Sequence, residues 1–109
     1  MIFFNINEVR EYLLKTGTVY TLRRKRREGR DEAVKGDLKL WTRIATVMVT
    51  RILKEEVTSP QQLLPYVEKS GLHNPQKRLL LSAIEWYDRA KQLHKQEPIF
   101  LYAVSIIRR

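Results

Sequence analysis

Six residues near the amino terminus of this 109-residue chain carry its clearest structural signal: Thr18-Val19-Tyr20-Thr21-Leu22-Arg23. β-Branched and aromatic side chains dominate this stretch, and such residues favour strands. We therefore predict a strand over 18–26 that runs into a basic segment. A helix is predicted before it, over 6–15, because apolar residues recur there at spacings of three and four. Asn5 is its predicted N-cap, and Gly17 stands where the helix should end.

The central part of the chain predicts a loop, a strand and a helix. Residues 27–37 contain two glycines and many charges, which is typical of a loop. Residues 38–53 have the β-branched content of a strand, and both of its faces are apolar enough to be buried. The sequence Ser59-Pro60-Gln61-Gln62 then has the capping-box pattern of a helix start, and Gly71 marks the expected end of that helix.

The last third predicts one more helix and one more strand. Asn74 and Pro75 indicate a helix start, and an apolar stripe follows over 75–96. The members of this stripe are Leu79, Ala83, Trp86, Ala90 and Leu93. Residues 99–107 begin with a run that is apolar on both faces, as in a central strand.

The order of these elements predicts the fold class. Strands and helices do not alternate as in βαβ units, which argues against a parallel doubly wound sheet. We expect a single α+β domain over 1–109: a small β-barrel of mixed or antiparallel strands, flanked by about three helices. No repeat, linker or low-complexity stretch interrupts it.

Composition and charge limit the possible functions. The chain has 21 Lys and Arg against 12 Asp and Glu, a net charge of +9, so a polyanionic partner is the first to consider. The absence of cysteine excludes disulfides, thiolate zinc sites and cysteine nucleophiles. The longest apolar run, Ile99–Val104, is far shorter than the ~20 residues of a membrane span, and the start does not match a signal peptide. We expect a soluble, cytoplasmic protein, treated as a monomer, without a membrane partner.

Three parts of the chain resemble the ASCH domain of the PUA-like superfamily. The first is the run Leu14-Lys15-Thr16-Gly17 through Arg23, and the second is Gly36-Asp37 followed by a strand. The third combines residues 66–71, the helix after them and residues 101–104, which are similar to the ending of small archaeal members. The resemblance implies a β-barrel with a cleft between barrel and helices that holds RNA or a nucleotide.

One branch of that family is enzymatic, and the match to it is incomplete. Acetylcytidine amidohydrolases use a motif Lys as base, a Thr as nucleophile and a downstream Glu as acid. Thr21 and Arg23 match the motif, but Thr18 stands where the Lys should be, and Glu68 is the nearest carboxylate to the expected acid. Lys15 is the one nearby candidate for a replacement base, so Thr21 and Lys15 are the only candidate catalytic residues.

The basic run over 23–30 is the strongest candidate for nucleic-acid contact. It holds six cations and one anion in eight residues: Arg23, Arg24, Lys25, Arg26, Arg27 and Arg30 with Glu28. Phosphates would relieve the repulsion among these charges, with counterion release as the driving force. Alternation along a strand would put Arg23 and Lys25 on one face and Arg24 and Arg26 on the other. The competing interpretation is a solvated basic edge that deters strand pairing.

Other candidate groups are aromatic residues and histidines. Tyr20, Trp41 and Tyr102 lie near predicted strand ends, where a base could stack, although core packing is the commoner role of such residues. Trp41 is the best of the three because it lies between Lys39 and Arg43. His73 and His94 have no carboxylate at ligand spacing, and there is no phosphate-binding glycine loop, so we predict neither a metal site nor a cofactor.

These observations favour an RNA-binding module, with DNA left open as the ligand. Thr21 and Arg23 would lie in the cleft, the cluster at 23–30 would contact phosphates, and Lys35, Lys39 and Arg43 would extend the positive surface. The enzymatic alternative is an amidohydrolase or another hydrolase that acts on a modified nucleoside. A third possibility is a structural subunit whose basic face binds an acidic protein.

Overall fold

A curled five-stranded sheet, forming a half-barrel, is the centre of the computed structural model, which describes residues 1–108. Arg109, the last residue of the predicted domain, lies outside the described residues. The strands are β1 (Ile2–Phe3), β2 (Thr18–Arg24), β3 (Gly29–Gly36), β4 (Trp41–Arg51) and β5 (Ile99–Arg108). Their order across the sheet is β1-β3-β4-β5-β2, with β1 parallel to β3 and the other pairs antiparallel. The predicted α+β class, with a mixed sheet, is confirmed.

Three helices flank the sheet: α1 (Asn7–Thr16), a 3₁₀ helix (Pro60–Lys69) and α2 (Leu79–Leu93). The predicted capping box is present, because the side chain of Gln62 accepts the Ser59 N–H at 2.9 Å. Pro65, inside the 3₁₀ helix, has no N–H to donate. Gly17 ends α1 as predicted, in the left-handed conformation with φ +89°.

The core consists of two apolar clusters on opposite faces of the sheet. Tyr102 and Val104 of β5 pack with α1, whereas Ile99 and Leu101 of the same strand pack with the 3₁₀ helix and α2. Trp86, predicted as a core residue, is buried in the second cluster. Period-two alternation along a strand explains this division.

The predicted loop over 27–37 is wrong, because most of it forms β3. Ala33 and Val34 are fully buried, and β3 is hydrogen-bonded between β1 and β4. Two of its charged side chains, Asp31 and Glu32, are held in ion pairs, the latter with Arg43 on the neighbouring strand. Pairing with two neighbours overrides the weak strand propensity of the segment.

Two predicted boundaries and one predicted burial pattern also need correction. Helix α2 begins at Leu79, since Asn74 and Pro75 form a separate turn in which the Asn74 side chain accepts the Gln76 N–H at 2.9 Å. The predicted strand over 38–53 begins at Trp41, and its residues before Trp41 belong to a turn. Within this strand, residues 45–47 are buried on both faces as predicted, but Met48 and Thr50 are exposed.

Asn5 does not cap α1. It is the residue before the N-cap position, and its side chain bonds to Gly36 at the end of β3 instead.

None of the helices within residues 1–108 is long and apolar enough to cross a bilayer.

Candidate functional site

A cavity of about 400 Å³ lies where the segment after β1, strand β2 and helix α2 meet. Most of its wall is apolar or aromatic, with a few polar groups that converge on it, which is the usual composition of a ligand site. The aromatic residues are Phe3, Phe4, Tyr20 and Trp86, and the polar ones are Asn5, Thr21, Arg23, Ser70, Arg89 and His94. Thr21 and Arg23, the two residues predicted to lie in a cleft, both line this cavity.

The guanidinium of Arg23 is held against the cavity wall by neutral groups. Its Nε donates to the Thr21 hydroxyl at 3.0 Å, its Nη2 donates to the Phe3 carbonyl at 2.7 Å, and its charged end lies 5.0 Å from the centre of the Phe4 ring. No Asp or Glu of the described chain forms an ion pair with it. Burial, together with the nearby charge of Arg26, lowers the pKa of Arg23 to about 10.

One nitrogen of Arg23 remains available to a ligand. Its Nη1 makes no hydrogen bond to the described residues. Within residues 1–108, Nε of Arg26 is the one buried side-chain nitrogen or oxygen that has no hydrogen-bond partner. Because Nη1 of Arg23 also has no partner and is not in that category, it is accessible to solvent. Arg23 is therefore a cavity-lining residue whose charge no carboxylate of the described chain pairs with and whose Nη1 has no hydrogen-bond partner there.

Arg89 and His94, both from α2, line the same cavity. Arg89 is exposed and forms no hydrogen bond or ion pair within the described chain, and Glu85, one helical turn before it, pairs with Lys77 at 2.6 Å. Burial lowers the pKa of His94, and the charges of Arg23 and Arg24 lower it further, against an opposing effect of Glu97. The imidazole therefore loses its proton more readily than that of an ordinary histidine.

Sequence reasoning assigned neither residue to the site. The signal that could have found Arg89 is its position three residues after Trp86 and directly before Ala90, which puts it beside the buried stripe rather than opposite it.

The catalytic candidates are not brought together. Thr21 lines the cavity, but its hydroxyl accepts the Arg23 hydrogen bond. Lys15 is exposed in the last turn of α1, and Glu68 is exposed on the 3₁₀ helix. Neither of them lines the cavity, and no carboxylate does. The constellation of base, nucleophile and acid is not formed around Thr21.

Residues 24–30, which we term the basic segment, continue from Arg23 away from the cavity lining. Strand β2 ends at Arg24, so the predicted alternation of faces does not extend to Lys25 and Arg26. Arg26 instead joins Arg23 at the amino-terminal segment, where its Nη2 donates to the Met1 carbonyl at 2.8 Å and pairs with Asp31 at 3.1 Å. The prediction that Arg26 shares a face with Arg24 is wrong.

Only part of the basic segment is free of ion pairs. Arg24 makes an exposed pair with Glu97 at 3.4 Å. Lys25, Arg27 and Arg30 are exposed and form no ion pair within the described chain. These three side chains are the ones in the segment that can neutralise phosphates without first breaking a contact.

The remaining predicted residues lie on the β3–β4 hairpin and not in the cavity lining. Lys35, Lys39 and Trp41 are exposed, whereas Arg43 is engaged, since its Nε bonds Glu32 at 2.6 Å and its Nη2 bonds the buried Thr46 hydroxyl at 2.6 Å. The Arg43 hydrogen bond lowers the pKa of Glu32, against a smaller opposing effect of desolvation.

Two of the three aromatic candidates take structural roles. Tyr102 is fully buried, and its hydroxyl accepts the Arg26 N–H at 2.9 Å, so it belongs to the core. Tyr20 packs edge-on against Tyr66, with ring centres 5.3 Å apart, and also lines the cavity. Trp41 is exposed on the hairpin and remains open to a ligand.

Residues 1–108 contain no cluster of three His, Asp or Glu side chains that could ligate a metal ion. No family model, curated protein or solved structure matches this chain.

Proposed function

We propose that this chain is an RNA-binding module of the PUA-like type, similar to small archaeal ASCH domains and acting in the cytoplasm. The observation that carries the proposal is the Arg23 guanidinium, which faces a largely apolar cavity without a carboxylate partner. An unpaired charge removed from water is costly, and an anionic ligand would offset that cost.

The rest of the cavity favours a nucleotide as that anion. Phe3, Tyr20 and Trp86 offer apolar and aromatic surface for a base, while Arg89 and the free nitrogen of Arg23 offer donors for a phosphate. A volume of about 400 Å³ suits one small ligand rather than a duplex.

The basic segment supports a polynucleotide rather than a free nucleotide. Lys25, Arg27 and Arg30 follow Arg23 directly in the chain and extend the positive charge beyond the cavity. Phosphates of a strand that leaves the cavity would neutralise them with release of counterions. The resemblance of Thr21, Arg23 and Gly36-Asp37 to the ASCH motif agrees with this assignment.

Binding is better supported than hydrolysis. No carboxylate lines the cavity, and Lys15 is not among the lining residues, so the lysine base and the carboxylic acid that the amidohydrolase reaction uses are both missing from it. The third possibility, an acidic protein as the partner, makes a different prediction: purification with added nuclease would leave that complex intact.

Arg89 provides a test that does not disturb the fold, because this side chain is exposed and unpaired. The variant Arg89→Gln should weaken binding of a fluorescein-labelled, mixed-sequence single-stranded RNA several-fold at low salt, measured by anisotropy. Arg78→Gln is the matched control, since it removes the same charge from an exposed position just before the same helix, outside the cavity lining.

The result that contradicts the proposal is an equal effect of the two substitutions, or no RNA binding by the unmodified chain. A DNA strand of the same sequence distinguishes the nucleic acids. Tighter binding of RNA indicates contacts to the 2′-hydroxyl, whereas equal binding would leave a general single-strand binder.

A further inference from the structure

The turn between β3 and β4 carries large apolar side chains that are exposed to solvent. Residues 37–41, which we term the hairpin tip, carry Leu38 at 79% exposure, Leu40 at 80% and Trp41 at 45%. Single exposed leucines are ordinary in proteins, but three large apolar side chains within four residues form a patch that calls for a partner.

The hairpin tip is rigid. The Asp37 carboxylate accepts the N–H groups of Lys39 at 2.8 Å and Leu40 at 2.9 Å, and the Asp37 N–H donates to the Leu40 carbonyl at 3.0 Å. Gly36 has φ +122°, and a Cβ there would lie 2.3 Å from the Leu40 carbonyl oxygen. Because these contacts hold the turn in one conformation, the exposure of its leucines is a property of the fold.

A single side chain joins the hairpin tip to the cavity. The Asn5 amide donates to the Gly36 carbonyl and accepts the Gly36 N–H, both at 2.8 Å, and Asn5 also lines the cavity. The tip starts at the residue after Gly36, so its base is fixed against the cavity wall.

The charges around the hairpin tip favour a nucleic acid as the partner. Lys35 precedes the two leucines and Lys39 lies between them; both lysines are exposed and form no ion pair within the described chain. Lysines beside exposed leucines match a ligand that has a negatively charged backbone and an apolar interior. Stacked bases between phosphates have this character, and leucine side chains are known wedges between base steps.

We propose that the hairpin tip is a wedge that inserts Leu38 and Leu40 at an interruption in a base stack, next to the nucleotide held in the cavity. The preferred ligand is then RNA with an unpaired base beside a helix, such as a bulge or a loop closure, rather than a continuous duplex. This inference rests on the proposed function and adds a substrate class to it.

The test compares two fluorescein-labelled RNA duplexes that differ by one unpaired adenosine in one strand. The unmodified chain should bind the bulged duplex about tenfold more tightly, in line with the stacking contribution of one base. The double variant L38S/L40S should lose this preference while its binding to the continuous duplex and to single-stranded RNA stays unchanged. A 2-aminopurine next to the bulge should brighten with the unmodified chain and not with the variant, because insertion unstacks it.

L80S/L81S is the matched control. It replaces two leucines that are also exposed, on α2 and outside both the cavity lining and the hairpin tip, and it should keep the preference for the bulge. Retention of the preference by L38S/L40S would overturn the wedge, and so would an equal loss on bulged and continuous duplexes.

Two further outcomes separate this inference from the proposed function. If the unmodified chain binds single-stranded RNA in an Arg89-dependent manner but ignores the bulge, the wedge fails and the proposed function stands. If it binds no RNA, both fail. Binding to vesicles of phosphatidylserine and phosphatidylcholine that is lost in L38S/L40S would assign the tip to a lipid surface and overturn the wedge.

Discussion

Asn5 and Gly36 are joined by two hydrogen bonds of 2.8 Å, one in each direction, between the Asn5 side-chain amide and the Gly36 backbone. The two residues are 31 positions apart, and the pair connects the segment after β1 to the end of β3. Asn5 also lines the cavity, so this residue connects the end of β3 with the cavity wall.

Removal of this amide should loosen the hairpin without unfolding the chain. We expect Asn5→Ala to lower the free energy of unfolding by about 1–2 kcal/mol, since each hydrogen bond contributes ~1 kcal/mol. Urea denaturation measures it. Asn5→Asp keeps the acceptor for the Gly36 N–H and loses the donor, so its free energy of unfolding should lie between those of the unmodified chain and Asn5→Ala. Equal stability of all three proteins would show that the pair does not hold the hairpin.

The salt dependence of RNA binding should report the number of free cations. Five cations near the cavity and in the basic segment form no ion pair within residues 1–108: Arg23, Lys25, Arg27, Arg30 and Arg89. If each contacts one phosphate of a single strand, log K against log salt should have a slope of about −3.5, at ~0.7 per contact. A titration of labelled RNA in increasing salt measures it, and a slope near zero would contradict electrostatic binding.

RNA affinity should rise as the pH falls. Burial and the charges of Arg23 and Arg24 keep the pKa of His94 below its usual value in the free protein. A bound phosphate would offset those positive charges and raise that pKa, so binding takes up a proton and is favoured by acid. Affinity should increase several-fold from about pH 8 to about pH 5.5, the range in which histidine titrates.

The variant His94→Gln is the control for this pH effect, and its affinity should be nearly constant over the same range. The stability of the free protein should change with pH in the opposite direction to the affinity, because a lowered histidine pKa makes protonation favour the unfolded chain. Its stability should therefore fall toward acid, less steeply in His94→Gln. An unchanged pH dependence of binding in the variant would exclude His94 as the titrating group.

We expect no hydrolysis of acetylcytidine above the rate in buffer. Thr21 is 7% exposed, its hydroxyl accepts a hydrogen bond from Arg23, and no carboxylate or lysine lines the cavity beside it. Chromatographic detection of released cytidine measures the rate. Turnover that disappears in Thr21→Ala or Lys15→Ala would reveal a base that this geometry does not show.

The sequence predicted those parts of the fold that depend on local signals. β-Branched residues located β2 and the core of β4, the capping box located the 3₁₀ helix, and Gly17 located the end of α1. Strand β3 escaped prediction because its buried positions, Ala33 and Val34, are only two residues among charges. Its pairing with β1 and β4 and the Glu32–Arg43 ion pair stabilise it, and such contacts are non-local.

The same distinction between local signals and non-local contacts applies to the candidate site. Thr21 and Arg23 were predicted to lie in a cleft, and both line the cavity. The sequence could not show that Arg24, Arg26 and Arg43 are held in ion pairs, because their partners lie on other elements. Nor could it place Arg89 in the same cavity lining as Arg23, since that depends on how α2 packs against the sheet.

Arg23 is the residue on which the account depends, and its replacement by lysine is the most direct test. Lysine keeps the charge but loses the planar group whose Nη1 is free to bind a ligand while its Nε and Nη2 remain engaged. Arg27→Lys is the matched change in the exposed basic segment, where a point charge serves equally well. Thermal unfolding of each variant sets a temperature at which all are folded.

In moderate salt, Arg23→Lys should weaken binding of labelled single-stranded RNA about tenfold or more, as expected for a charged hydrogen bond of ~1.5–3 kcal/mol. Arg27→Lys should bind as the unmodified chain does. Equal, small losses in the two variants would contradict the account, because only diffuse positive charge would then be recognised and the cavity would have no part in binding.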